Sequence, residues 1–141
     1  NVLNDDDVLH NTHSFPVANE GFNKAVQPKE RAGIPMLYES PEKEPVQIKC
    51  DIHPFMLAWH LPLNHPYVAL TDKDGKFEIK DVPSGKHEFV VWHERPKYLE
   101  AKLKVIASSD KATEQELAFE ESKFAVVEDP NIKVVRLTAS H

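Results

Sequence analysis

Apolar and polar positions alternate most regularly between residues 67 and 107, with the period of two that belongs to strands. In Lys76-Phe77-Glu78-Ile79-Lys80, Phe77 and Ile79 fall on one face and the charged residues on the other. Tyr67 to Thr71 forms the facing piece, and Asp72-Lys73-Asp74-Gly75 between them predicts a hairpin turn whose glycine takes the left-handed position. Pro83 and Gly85 mark a second turn before Lys86 to Glu94, where the continuous apolar centre from 89 to 92 predicts a strand covered on both faces. Ala101 to Ala107 alternates again, with Leu103 and Val105 inward, and Thr113 to Phe119 ends a further strand.

The first half is less periodic. Val46 and Ile48 alternate with Gln47 and Lys49 and deliver Cys50 at a strand end. Residues 16 to 45 contain five prolines around short apolar pieces and predict a long irregular excursion between two strands. After residue 121, Lys123 to Val127 and Ile132 to Thr138 are β-prone, separated by Asp129-Pro130, and suit an edge strand or a wrap onto a neighbour. With four glycines, eleven prolines and no long helical period, the chain reads as all-β.

Length and charge narrow the classes. The chain has 141 residues, 40% hydrophobic and 28% charged, enough for one domain or two merged small β units. No apolar run approaches the ~20 residues of a membrane span. A net charge of −6 disfavours nucleic acid or an anionic membrane as partner and favours a basic one. The chain begins with Asn1 instead of Met, which fits either a removed signal peptide, with a periplasmic or otherwise extracytoplasmic location expected, or a fragment of a longer chain.

Candidate chemistry gathers at residues 50 to 56. Cys50 is the sole cysteine and has no internal disulfide partner; His53 follows three residues on and Met56 three beyond. A thiolate, two imidazoles and a distant thioether are the ligand set of an electron-transfer copper site. The second histidine has to come from elsewhere, and His10 and His13 are the candidates upstream. Three residues apart on a strand, they face opposite ways, so one at most enters a given site. Cys50 and His53 have the same odd spacing and converge only if the chain bends, which Pro54 can enforce. The plainer alternative is a buried thiol beside a histidine and a core methionine.

His10-Asn11-Thr12-His13, followed about forty residues later by Cys50-Asp51-Ile52-His53-Pro54-Phe55-Met56, resembles the cupredoxins, amicyanin among them. The resemblance implies a mononuclear type 1 copper held by His10, Cys50, His53 and Met56, with His13 outside the set. It implies one-electron transfer without substrate chemistry, so not an enzyme, and a Greek-key cupredoxin-like β-sandwich. Asn11 and Ile52 would support the site by donating backbone N–H groups to the Cys50 sulfur. Asn11 would also tie the two ligand segments through its side chain. Ile52 stands where amicyanin has proline, which implies a higher reduction potential. Pro54, Phe55 and Leu57 would form an apolar docking patch for a redox protein, a cytochrome or an oxidoreductase, within a larger complex or free. The likeness covers residues 1 to 64 and lacks sequence for two early strands.

Residues 65 to 120 resemble instead the carboxypeptidase regulatory-like, transthyretin-type β-sandwich, a second small module, with 121 to 141 as a tail. A single cysteine excludes a binuclear copper site. Two further readings stand beside the electron carrier. One is a scaffold subunit of a multiprotein assembly with a vestigial or stabilising metal; the other is a copper-handling or zinc-bearing module. His65, His93 and Glu94 offer a weaker second metal site, although their spacing fits no metal motif. Trp59 and Trp92 read as core, and Asp5 to Asp7 as solvated charge.

Overall fold

A computed structural model describes residues 1 to 125. Their regular elements are β-strands and one 3₁₀ turn at Glu121–Phe124, joined by long irregular segments, and they divide into two compact units, Asn1 to Glu78 and a second beginning at Ile79. Among them no helix is long and apolar enough to cross a membrane.

The first unit is built on one antiparallel sheet. Strands β1 (His10–Phe15), β2 (Asn23–Val26), β3 (Val46–Lys49) and β4 (Leu57–His60) lie in the order β2-β1-β3-β4. His10 pairs with Val26 and His13 with Asn23, while Ser14 pairs with Ile48 on the other side of β1. Because side chains alternate along a strand, His10, Ser14, Val26, Val46 and Ile48 share the covered face. Those residues and Cys50 are the buried ones, joined by Asn4 and Glu42.

The buried side chains of Asn4 and Glu42 have hydrogen-bond partners. Asn4 Nδ2 donates to the carbonyls of Val8 and Gln27, at 2.9 and 3.0 Å, and more distantly to that of Val26, which ties the N-terminal segment to the end of β2. The Glu42 carboxylate accepts the backbone N–H groups of Val17 and Ala18 and the amide of Asn19. A lost partner at such a site leaves a desolvated group without compensation.

Strand β2 lies inside the stretch expected to be irregular. Its residues are exposed except Val26, so one buried side chain leaves no alternation to read. The predicted 67 to 80 hairpin forms only its turn. Asp72 N–H donates to Lys76 C=O at 2.8 Å, Gly75 N–H to Asp72 C=O at 3.0 Å, and Gly75 has φ +78°. The flanks are not strands: Val68, Leu70 and Phe77 stay exposed, and a hairpin without a covered face has little to stabilise it.

The second unit holds β5 (Gly85–His93) and β6 (Lys97–Ala107), paired antiparallel from Gly85↔Ala107 to His93↔Lys97 with register shifts around Val91. Phe89, Val91, Leu103 and Val105 are half-buried. Val90 is 55% exposed, so β5 is covered on one face and not, as its apolar run suggested, on both. Thr113 to Phe119 forms no strand. The expected strand at Ile132 to Thr138 lies outside the described residues, and the start of its predecessor, Lys123 and Phe124, belongs to the 3₁₀ turn.

Candidate metal centre

The register of the sheet brings the donors together. β1 and β3 run antiparallel with His13 opposite Lys49, so the start of β1 and the residue just after β3 lie at one end of the sheet. His10 and Cys50 occupy those places, forty residues apart in sequence. β3 and β4 pair through Lys49↔Leu57, which makes residues 50 to 56 the loop of a hairpin. Cys50 N–H donates to Met56 C=O at 3.1 Å and Met56 N–H to His53 C=O at 2.9 Å. That tight closure turns His53 back toward Cys50 despite the odd spacing.

Three donor atoms converge. Cys50 Sγ is 3.8 Å from His10 Nδ1 and 3.6 Å from His53 Nδ1, and the two Nδ1 atoms are 2.9 Å apart. The same nitrogen of each ring faces the sulfur. His10 and Cys50 are buried and His53 half-buried. One ion at about 2.0 Å from each nitrogen and 2.3 Å from the sulfur satisfies all three separations, so the donors fit a metal without rearrangement.

Burial pushes the Cys50 thiol up. Hydrogen bonds from the Asn11 backbone, the His10 ring, and the His53 backbone and ring overcome this and hold it well below the ordinary thiol range. Of the two backbone donors expected at the sulfur, Asn11 is present; on the loop side the structure supplies His53, and Ile52 is half exposed. His10 is raised chiefly by its hydrogen bond to Cys50, against burial, with Asp6 adding to the rise. A thiolate poised beside imidazoles is a ready ligand for a soft or borderline cation.

The surrounding residues lock the two ligand segments together. Asp51 N–H donates to Asn11 Oδ1 at 2.6 Å, and Asn11 Nδ2 donates to Asp51 Oδ2 at 2.8 Å and to Asn23 Oδ1 at 3.0 Å. Asp51 also meets His13 Nδ1 at 2.8 Å and Lys49 Nζ at 3.0 Å. Hydrogen bonds from Asn11, Lys49 and His13, in that order, hold its carboxyl down to about 2. The tie expected of Asn11 is thus present, and His13 serves it through Asp51, on the opposite side of β1 from the cluster. On the far side of His10, Asp6 Oδ2 accepts from Nε2 at 2.9 Å.

Asp6, Lys49 and Asp51 are contributions that the sequence reading missed. Asp6 sits four residues before His10 and Asp51 directly after Cys50, yet nothing in a solvated acidic run or a strand-end charge separates a partner from a bystander. Met56 closes the loop through its backbone, with its side chain half-buried. Pro54, Phe55 and Leu57 are exposed around His53, Phe55 at 84% and with its ring 5.9 Å from the imidazole.

The residues of the weaker second metal group are divided between the two units. His65 stacks on Tyr67, and His93 meets the Phe124 ring edge-on in the other unit. Among the described residues, His10, Cys50 and His53 are the one group of three such side chains able to hold a metal.

Compared with known proteins, the chain matches no family model, no curated protein and no solved structure. The functional reading rests on the site itself.

Proposed function

We propose that the protein carries single electrons on one type 1 copper held by His10, Cys50 and His53, with the Met56 thioether as a weak fourth ligand. The convergence of Nδ1, Nδ1 and Sγ at one buried end of the sheet is the observation that carries this reading. Two imidazoles, a thiolate and a thioether would suit both oxidation states of copper, and a ligand set fixed in advance would keep rearrangement on electron transfer small. When bound, the copper supplies the reversible one-electron couple. The chain's own part is to hold the ligands, with His10 paired to buried Val26, and to donate N–H groups to the sulfur from Asn11 and His53. Substrate chemistry would need an open position, which four protein ligands leave no reason to expect.

The likeness to cupredoxins supports a Greek-key sandwich of that type for the first part and a regulatory-like sandwich for the second. The exposed Pro54, Phe55 and Leu57 around His53 support docking of an extracytoplasmic redox protein. Cyclic voltammetry of copper-loaded protein tests the proposal. A reversible one-electron wave at one copper per chain is expected, and a bound but electrochemically silent metal contradicts it.

A scaffold role within an assembly, with the metal as a stabiliser, is favoured by the apolar side chains left open on the hairpin of the second unit, Val90 and Ile106. A silent but stabilising zinc, with folding lost to chelators, would select it.

A further inference from the structure

The three aspartates before β1 have different partners. Asp5 pairs with Arg31 and Asp7 with Lys29, both on the surface, whereas Asp6 turns to His10. The turn is built. Asp6 N–H donates to Oδ1 of the buried Asn4 at 2.9 Å, and Asp6 C=O accepts Lys29 N–H at 3.0 Å. Asn4 in turn is anchored on the carbonyls of Val8 and Gln27. The backbone at Asp6 is therefore pinned independently of its side chain, and the carboxylate is left to reach Nε2 of a buried ring.

We propose that Asp6 is a positioning residue of the metal centre: its carboxylate fixes the His10 ring with its hydrogen on Nε2 and its Nδ1 lone pair turned to Cys50 and His53, and strengthens Nδ1 as a donor. The inference rests on the reading that these residues hold a metal. An ionised carboxylate can only accept, so the shared proton belongs to Nε2, and a neutral imidazole with hydrogen there has its lone pair on Nδ1. Nδ1 is the atom 3.8 Å from Sγ and 2.9 Å from the other imidazole. A carboxylate behind a ligating histidine makes the ring more basic and favours the more highly charged ion. For copper this stabilises Cu(II) over Cu(I), so removing the carboxylate raises the reduction potential.

The test compares full-length wild type, Asp6→Asn, Asp6→Ala, Asp6→Glu and the neighbouring Asp7→Asn. Zn(II) affinity is measured by chelator competition, the potential after copper loading, and metal-free stability in urea. Asp6→Asn and Asp6→Ala are expected to bind Zn(II) about 10 to 100-fold more weakly and to shift the potential upward, with an affinity loss larger than any loss of metal-free stability accounts for. Asp6→Glu should recover part of both effects, and Asp7→Asn should match wild type. Asp6 variants with wild-type affinity and potential overturn the inference while leaving the metal centre standing. So does an equal effect from Asp7→Asn, which would make the effect one of general charge, or an affinity loss that only tracks lost stability. Wild type that binds zinc but no copper removes the electron-transfer reading, and the zinc comparison still decides the role of Asp6. Wild type that binds neither metal overturns both.

Discussion

Cys50 meets its neighbours twice, through a backbone N–H that closes the loop on Met56 and through a sulfur that receives groups from both ligand segments. Asp51 holds those segments in register by its reciprocal pair of hydrogen bonds with Asn11. Asp51→Ala removes the carboxylate that Asn11, Lys49 and His13 share, and leaves the Asn11 amide only Asn23 and the backbone N–H of residue 51 as partners. It is expected to weaken Zn(II) and copper binding about 10 to 100-fold by chelator competition, and unchanged binding would reduce the network to surface decoration. At this scale the sequence was informative where chemistry is rare. One thiol, a histidine three residues on and a methionine three beyond stand out in any chain, and His10 followed by Asn11 narrowed the choice upstream. The supporting carboxylates were not legible, because acidic residues are common and their partners depend on folds of the backbone such as the turn at Asn4.

Strand β3 shows how an element places the site. Val46 is 1% exposed and supports the end of β3 remote from Cys50, so Val46→Ala should cost about 2 kcal/mol in urea unfolding of the metal-free protein. A change within error would mean that the strand is held by its hydrogen bonds alone. Glu42 secures the loop over the same region. Burial raises its pKa, but hydrogen bonds from the Asn19 side chain and the Ala18, Val17 and Asn19 backbone outweigh that and lower it from the ordinary 4.5. A carboxyl lowered in the folded state contributes stability that is fully present above its unfolded value and is lost as pH falls through the folded one. Stability of the first unit should therefore decline as pH drops below about 4.5, and less steeply in Glu42→Gln, which should also unfold at lower urea at pH 7. Equal acid dependence in the variant would remove Glu42 from the explanation. Strand β3 and most of β6 were readable because their apolar residues alternate against a covered face, and β5 because of its apolar run from 89 to 92. β2 was not, with Val26 alone inside, and the expected hairpin at 67 to 80 failed because turn chemistry without a covered face fixes only the turn.

At the scale of the molecule, the covered face of the first unit and the metal cluster are one structure: His10 and Cys50 are buried with Val26, Val46 and Ile48. Binding a metal there links the start of β1 to the β3–β4 loop, so it should stabilise the sheet as well as create a redox centre. The all-β character was legible from composition and period; the division after Glu78 was not, because residues 61 to 78 combine strand-like apolar pieces with no strand. The visible spectrum of the copper-loaded chain, beside that of Cys50→Ser, tests the central claim most directly. A thiolate-bound Cu(II) is expected to give an intense visible absorption at one copper per chain, absent from Cys50→Ser although that variant keeps its fold by circular dichroism. Protein that stays colourless after Cu(II) addition and oxidation, or colour that survives in Cys50→Ser, would contradict a copper centre built on this cysteine.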